Sequence, residues 1–261
     1  MKTVTSGKKN STFRDGTPNL SVKKVNFESA FVNKIIRGNA LDVMKQIPDG
    51  AVHLVITSPP YNLKNSTGNG MKDGRGGKWA NAALQKGYSH HDDCMPHNEY
   101  VKWQRECLTE MMRIIPEDGA IFYNHKWRVQ GGLLQDRQDI VNGFPVRQII
   151  IWRRKGGFNF NPGYFVPTYE VIYLIAKPEF KLSSKANGHG DVWEFTQEMN
   201  NEHPAAFPVD LIDRIVSSTN AQIILTNAKK ILKCIPNTAM ISMPSVGYKT
   251  HLRNFLQFLY E

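Results

Sequence analysis

The sequence predicts an α/β fold built on a sheet with parallel crossover connections. Compact apolar runs rich in β-branched residues alternate with segments of helical periodicity, and short turns containing Pro, Gly, Asn or Asp join them. The clearest run, residues 51–56, has the composition of a strand buried on both faces of a parallel sheet. Ligands of such sheets bind beyond the carboxyl ends of strands, so a site is expected directly after Ile56.

The remaining elements follow from periodicity and from turn residues. Strands are predicted near 33–37, 120–123, 147–152, 170–176 and 223–225, and helices over 38–48, 98–115, 128–141 and 209–217. Residues 61–97 have no periodicity of their own, and loops of this length are usually functional or disordered. The order of elements therefore predicts one α/β domain interrupted by a long loop.

Length and composition narrow the class of protein. A chain of 261 residues can bury one large core. No apolar run is long enough to span a bilayer, and the N-terminus is basic without an apolar segment, so we expect a soluble cytoplasmic protein that does not contact membranes. The three cysteines, Cys94, Cys107 and Cys234, form no CxxC pair, and we therefore expect neither a disulfide framework nor a metal site.

The net charge of +10 and the pI near 9.5 favour a polyanionic partner, because basic side chains release counterions from phosphates. A glycine-rich basic segment, residues 63–86, leaves directly from the predicted site. The residues predicted to contact phosphates are Lys64, Lys72, Arg75 and Lys78. A solvated flexible loop is the alternative, whereas a nucleotide-binding loop is disfavoured because the required glycine spacing is absent.

The candidate catalytic residues are Ser58, Pro59, Pro60 and Tyr61, which follow the buried strand. Two consecutive prolines fix φ at both positions and leave their carbonyls as pure acceptors. The exocyclic amine of a nucleobase presents N–H donors, so a serine hydroxyl and a proline carbonyl can hold it while Tyr61 stacks on the extruded base. A proline turn that merely closes a strand is the structural alternative.

The segment from Thr57 to Asn62 after a buried strand resembles motif IV of the N4-cytosine and N6-adenine DNA methyltransferases. Other segments resemble the family in the same order: Asn39-Ala40 before motif IV, the strands near 150–153 and 169–177, and a motif X formed by residues 203–208 and the helix 209–217. Motif IV before motif X is the order of the permuted, or β, class.

This resemblance implies a Rossmann-like sheet of the type found in S-adenosylmethionine-dependent methyltransferases, circularly permuted, over residues 28–220. It implies transfer of a methyl group from S-adenosylmethionine to a flipped base in double-stranded DNA, with a cognate restriction endonuclease as a further partner. The residues that it places at the cofactor are Asn39, Ala40, Thr57, His203, Phe207 and Pro208.

Several of these residues also have ordinary structural explanations. Trp152, Tyr169 and Trp193 would be core aromatics in any α/β protein, and Glu170 could simply pair with a nearby arginine. His203 has no partner at metal-ligand spacing, so a cap or turn is the expected role. Only their order relative to the residues of motif IV connects them to a site.

The serine of Thr-Ser-Pro-Pro-Tyr matches the N4-cytosine signature and favours N4 of cytosine over N6 of adenine as the target. Serine also occurs in the adenine enzymes, so N6-adenine methylation remains the alternative. The segment where the family carries its recognition insert is short, about residues 178–202, and leaves the recognition sequence and the oligomeric state undetermined.

The chain departs from the family after about residue 220. The family continues with a strand and an Asp-Pro-Phe-x-Gly-x-Gly loop at the cofactor, whereas residues 221–230 here read Ala-Gln-Ile-Ile-Leu-Thr-Asn-Ala-Lys-Lys. A frameshifted or truncated C-terminus, a variant cofactor mode and an inactive relative are the open explanations. We therefore expect residues 221–261 to form a divergent tail that leaves the C-terminal part of the fold incomplete. We also expect weak or absent binding of S-adenosylmethionine.

Two rival functions follow from this departure. One is a catalytically inactive DNA-binding relative, in which the base pocket survives without the cofactor site. The other is an RNA-directed amino-methyltransferase, which the lack of an RNA-binding module disfavours. The first 27 residues are polar and basic without periodicity, and we expect them to form a flexible arm.

Overall fold

A computed structural model of the chain describes residues 26–36, 38–62, 95–130, 132–154, 162–196, 207–226 and 239–242. The predicted basic arm up to residue 25 and the predicted DNA-contacting segment 63–86 lie outside these ranges. In the part of the chain that is described, no helix is long and apolar enough to cross a membrane.

The described residues form ten strands and five α-helices. The helices are α1 (Phe27–Phe31), α2 (Ala40–Met44), α3 (His97–Ile114), α4 (Gln138–Val141) and α5 (Val209–Ser217). The strands are β1 (Lys34–Ile35), β2 (Leu54–Thr57), β3 (Ala120–His125), β4 (Arg128–Gln130), β5 (Leu133–Gln135), β6 (Val146–Arg153), β7 (Tyr169–Ala176), β8 (Val192–Glu194), β9 (Ile223–Thr226) and β10 (Ala239–Ser242).

Eight of these strands form one sheet in the order β1-β10-β9-β2-β3-β7-β6-β8. The five strands from β1 to β3 are parallel, as expected, whereas β7 runs antiparallel to both β3 and β6. From β9 the chain continues outward to β10, and from β2 it continues to β3 on the other side. The boundary between β9 and β2 is therefore a topological switch point, where α/β sheets form a ligand crevice.

Helices cover both faces of the sheet, which explains why the central strands β2 and β3 are buried at every position. On one face Val55, Ile121 and Tyr173 pack with α2 and α3. On the other face Leu54, Ile56 and Phe122 pack with Leu211, Ile212 and Ile215 of α5. All four residues of β2 and all six of β3 are buried. This double coverage confirms the predicted α/β class and holds the carboxyl end of β2 rigidly.

The predicted helix over 128–141 is wrong in its first half. Residues Arg128–Gln130 and Leu133–Gln135 pair as an antiparallel hairpin, and only Gln138–Val141 is helical. Gly132 has φ of +80° in the turn, a conformation that glycine adopts without steric cost. Arg137, also at positive φ, precedes the short helix. The Gly-Gly pair at 131–132 indicates a turn in the sequence, but the helical pattern of the neighbouring residues outweighed it in the prediction.

The sheet also continues past residue 220, where the resemblance to known motifs is lost. Strand β9 lies between β2 and β10, so the first residues of the predicted divergent tail belong to the same sheet as motif IV. Helix α5 matches the predicted range 209–217, and helix α2 is shorter than predicted. The strand predicted near 223–225 is thus present as β9 and belongs to the main sheet.

Candidate active site

The site lies where the carboxyl ends of β2 and β3 meet the first residues of β7. Thr57, the last residue of β2, pairs with Tyr123 of β3, and Asn124 and His125 complete β3. Strand β7 runs the opposite way, so its first residues lie beside the last residues of β3. This arrangement brings Glu170 of β7 next to Asn124 and to the residues that follow β2.

Four polar side chains form a connected cluster, which we call the Ser58 network: Ser58, Tyr61, Asn124 and Glu170. The Ser58 and Tyr61 hydroxyl oxygens are 2.6 Å apart, and the Tyr61 hydroxyl donates to Glu170 Oε2 at 3.0 Å. Asn124 Nδ2 lies 2.6 Å from the Tyr61 hydroxyl, 2.8 Å from Glu170 Oε2 and 3.3 Å from Ser58 Oγ. The network links all three strands at their ends.

Burial within the Ser58 network is uneven. Tyr61, Asn124 and Glu170 are 3%, 1% and 4% exposed, whereas Ser58 is only partly buried. The Glu170 carboxylate is balanced by Arg154, whose Nη1 lies 3.2 Å from Oε1. The structural interpretation of Glu170 as the partner of an arginine is therefore confirmed. Ser58 is the member of the network through which a ligand would make contact.

A second group of hydrogen bonds holds the prolines. The Tyr100 hydroxyl donates to the Pro60 carbonyl at 2.8 Å, and Gln104 Nε2 lies 3.4 Å from the same oxygen. Gln104 in turn accepts from the Tyr123 hydroxyl at 2.7 Å. The Pro60 carbonyl is thus engaged with α3 and fixes the turn, so an acceptor for a base must come from Ser58 or Pro59.

Tyr61 and His125 form the aromatic wall of the site, with ring centroids 4.9 Å apart. Burial, followed by the nearby Arg137, lowers the pKa of His125 from 6.5 to about 3, so the ring is neutral at physiological pH. Its Nε2 lies 2.7 Å from the Tyr100 hydroxyl. Because the Tyr61 ring is buried, stacking of a base on it requires displacement of the groups that cover it.

Asn62 anchors the end of the motif. It adopts a left-handed conformation with φ of +54°, which asparagine tolerates better than most residues. Its side chain donates to the Met95 carbonyl at 2.7 Å, and its own carbonyl accepts from Arg128 at 3.0 Å. These contacts tie together the two ends of the undescribed segment 63–94 and the β4–β5 hairpin beside the site.

The residues predicted at the cofactor fall in different surroundings. Thr57 is 1% exposed, and its hydroxyl has no hydrogen-bond partner among the residues that the structure describes. The Asn39 side chain caps α2 by accepting from the Leu41 amide at 3.0 Å, and Ala40, the first residue of α2, is buried. Phe207 packs against Trp152 with centroids 6.1 Å apart, and Pro208 is the N-cap of α5.

Two predicted groups cannot be placed. His203 and the four basic residues Lys64, Lys72, Arg75 and Lys78 lie outside the described residues. The four residues from Ser58 to Tyr61 do come together, directly after β2 as predicted.

Asn124, Arg154, Tyr100 and His125 were missed as site residues by sequence reasoning. Asn124 and His125 end β3, Arg154 follows β6, and Tyr100 lies in the first turn of α3. The available signal was the polar pair Asn124-His125 at the carboxyl end of an otherwise apolar strand, because that end of the sheet is where ligands bind.

Comparison with known proteins identifies the family to which this chain belongs. The N6/N4 DNA methylase family matches residues 52–224, which is more than half of the chain and includes the Ser58 network. The chain therefore belongs to the N6/N4 family of DNA methylases. Its sheet is also similar to that of the solved PvuII DNA methyltransferase (cytosine-N4-specific), with a TM-score of 0.52 and 14% identity over 74% of this chain and 76% of that one.

The curated relatives are type II methyltransferases. M.BglII from Bacillus subtilis is 28% identical over 74% of this chain. M.MjaVI from Methanocaldococcus jannaschii is 25% identical over 59% of this chain and 76% of its own length. The alignment with M.BglII spans 58% of the length of that relative.

Proposed function

We propose that this chain is a DNA amino-methyltransferase that transfers a methyl group from S-adenosylmethionine to the exocyclic amine of a flipped base. The observation that carries the proposal is the position of Ser58. Ser58 is partly buried and follows a central strand of a methylase-family sheet, and its hydroxyl contacts the buried side chains of Tyr61 and Asn124. A hydroxyl fixed in this way suits a nucleobase amine, which presents two donors.

The residues at the switch point fit the proposed cofactor. The Thr57 hydroxyl is buried at the carboxyl end of β2 and bonds to none of the described residues, so a polar ligand in the crevice between β2 and β9 would satisfy it. Thr57, the amide of Asn39 and the turn at Phe207-Pro208 are the described residues that would hold S-adenosylmethionine. The cofactor supplies an activated methyl group.

The protein's own part in the reaction is positioning. Ser58 Oγ and the Pro59 carbonyl accept from the amine, and the buried turn keeps both oxygens fixed during the reaction. Fixing the amine in this way directs its nitrogen lone pair at the methyl group, and correct orientation lowers the barrier without covalent chemistry. Pro59, Pro60 and Tyr61 are buried, so the turn beside Ser58 is shielded from solvent.

We favour N4 of cytosine as the target, on the serine of the motif and on the fold shared with a cytosine-N4-specific enzyme. N6 of adenine is the alternative, since both amines offer the same donors. We also infer the permuted chain order, because β2 with motif IV precedes α5 and β9 in the chain while β9 lies beside β2 in the sheet.

The proposed substrate is double-stranded DNA, which the net charge of +10 supports. Lys64, Lys72, Arg75 and Lys78 are the proposed phosphate contacts, because they directly follow the motif in sequence. A cognate restriction endonuclease is a proposed partner by analogy with the type II methyltransferases to which the chain is similar.

A catalytically inactive DNA-binding relative is the second candidate. The observation in its favour is that Thr226, the last residue of β9, is followed by Asn-Ala-Lys-Lys, where the family has an acid and glycines at the cofactor. In that case the base pocket would persist without methyl transfer.

Methylation-aware sequencing of DNA from cells expressing this chain separates the two candidates. Modified cytosine or adenine at a defined sequence supports the methyltransferase, and the modified position also decides between N4 and N6. Unmodified DNA, together with DNA binding by the purified protein, would favour the inactive relative. The matched control is the same chain carrying Ser58→Ala.

A further inference from the structure

We propose that Phe165, in the loop between β6 and β7, is a wedge residue whose ring stacks in the DNA duplex at the position vacated by the flipped base. The proposal rests on the proposed function, because its ligand is a duplex with an extruded base. It assigns a positioning role to an exposed residue that lies outside both the motif and the Ser58 network.

The loop that carries Phe165 lies at the edge of the sheet where the site is found. Strand β7 is antiparallel to both β3 and β6, so the carboxyl ends of β3 and β6 and the first residues of β7 share this edge. The loop is closed at its base, where the Arg154 amide donates to the Thr168 carbonyl at 2.7 Å. Because Phe165 precedes Glu170 of the Ser58 network by five residues, their Cα atoms are at most about 18 Å apart. One bound duplex can therefore contact both.

The Phe165 ring is almost fully exposed. It is 97% exposed, the highest value among the large apolar side chains of the described residues. Its neighbour Val166 is 39% exposed, and Leu133 and Leu134, in the hairpin that begins beside Asn62, are 71% and 57% exposed. A single exposed apolar side chain is ordinary, whereas several of them on connections beside a ligand site indicate a contact surface.

Basic side chains lie at the same edge of the sheet. Lys126 and Arg128 come just after β3, and Arg153 and Arg154 lie at the end of β6. Each of the two arginines at β6 also forms an ion pair with a glutamate. Basic groups suit DNA phosphates, and an exposed aromatic ring beside them suits the faces of bases. The surface around Phe165 therefore has the chemistry of a nucleic-acid contact and favours DNA as its occupant.

Extrusion of a base creates the need for a wedge. The duplex loses the stacking of the extruded base, and an apolar side chain that enters the gap offsets this loss. Tyr61, the aromatic residue of the motif, is 3% exposed and cannot enter the base stack, whereas Phe165 presents its ring to solvent. Pro167 fixes its own φ and restricts Val166 to extended conformations, so the backbone next to the ring loses little freedom on binding.

Binding to a duplex with one abasic residue tests the proposal, because such a duplex already contains the gap that the ring would fill. Two fluorescein-labelled duplexes of identical sequence, one intact and one with a single abasic residue, are compared by fluorescence anisotropy. The native full-length chain should bind the abasic duplex about tenfold more tightly, as expected for one aromatic side chain stacked on a base. Phe165→Ala should bind the two duplexes equally, and Phe165→Trp should keep the preference.

Leu182→Ala is the matched control. Leu182 is 46% exposed but follows the carboxyl end of β7, at the edge of the sheet opposite the site, so this variant should keep the native preference. Because the Phe165 ring is exposed, Phe165→Ala should keep the native Tm. In Phe165→Trp, the fluorescence of the added indole should be quenched more by the abasic duplex than by the intact one, and this measurement decides the question if Phe165→Ala does not fold.

A native chain that binds both duplexes equally, or a folded Phe165→Ala variant that keeps the native preference, would overturn the inference. Failure of the native chain to bind either duplex would overturn both the inference and the proposed DNA substrate. Because binding is measured without methyl transfer, a preference that depends on Phe165 in a chain that does not methylate DNA would count against the proposed function alone. Methylation of DNA without this preference would count against the inference alone.

Discussion

The two halves of the crevice at the carboxyl edge of the sheet differ in how they are built. The half at β2, β3 and β7 holds Ser58, Tyr61, Asn124 and Glu170 in a dense hydrogen-bond network. The half at the switch point between β2 and β9 contains the buried Thr57 hydroxyl. The first half is joined by hydrogen bonds among four side chains, although Asn124 Oδ1 and Arg154 Nε also have no partner among the described residues. In the second half, the Thr57 hydroxyl makes no hydrogen bond to a described residue. We call the half at β2, β3 and β7 the base half and the half at the switch point the cofactor half, after the ligands proposed above. We expect the base half to be preorganised and the cofactor half to be completed by its ligand.

The largest expected effect is on the base half. Ser58→Ala removes the hydroxyl that we assign to the amine, and the rate of methyl transfer at saturating DNA should fall by about 100-fold, in the range seen when one fixed hydrogen-bonding group is removed. Single-turnover kinetics measure this. Affinity for DNA should change little, because phosphate contacts dominate it. A rate equal to that of the native protein would remove Ser58 from the mechanism.

The neutral His125 predicts a loss of stability in acid. Its pKa is about 3 in the folded protein and 6.5 when unfolded, so between these values the unfolded chain binds the extra proton. The resulting stability is fully present above pH 6.5 and is lost as the pH falls toward 3. At pH 5 the loss should be about 2 kcal/mol relative to pH 7.5.

Urea denaturation of the native protein and of His125→Gln at both pH values checks this, with the half-exposed His97→Gln as the control. The difference between the two pH values should shrink in His125→Gln alone. An unchanged difference in that variant would show that His125 is not the group responsible.

Removal of the helix cap at Asn39, in the cofactor half, should have a smaller effect on stability. Asn39→Ala removes the side chain that accepts from the Leu41 amide at the start of α2, and loss of such a cap costs about 1 kcal/mol. Chemical denaturation measures the change, and Asn39→Ser is the matched control because serine can cap the same amide. If alanine and serine destabilise equally, the cap does not contribute.

The smallest expected effect on stability is that of a substitution at Thr57, which should change cofactor binding and not folding. Thr57→Val replaces a buried hydroxyl, which bonds to no residue in the described part of the chain, by a methyl group of similar size. The free energy of unfolding should therefore stay equal or rise by up to about 1 kcal/mol. Affinity for S-adenosylmethionine should fall in the same variant. A marked loss of stability would mean that the hydroxyl serves the fold and leave the cofactor contact without support.

Features that depend on local sequence were predictable, whereas features that depend on long-range strand pairing were not. The apolar run before Ser58, the Pro-Pro turn and helix α5 were predictable, because local periodicity and proline geometry decide them. Asn124 and Glu170 were not assigned to the site, because their role arises from the antiparallel pairing of β7 with β3. Residues 128–135 were predicted as helix because a weak helical pattern outweighed the Gly-Gly turn. Strand β9 was predicted, but its place beside β2 depends on long-range pairing.

Calorimetric titration of the purified chain with S-adenosylmethionine tests most directly whether the cofactor half completes a methyltransferase. The divergent sequence after Thr226 predicts weak or absent binding. The switch point between β2 and β9, and the Thr57 hydroxyl that bonds to no described residue, support a functional site. We predict saturable binding of one cofactor per chain, weakened in Thr57→Val. No measurable binding at millimolar cofactor would contradict the proposed methyltransferase and favour a DNA-binding relative that retains only the base half.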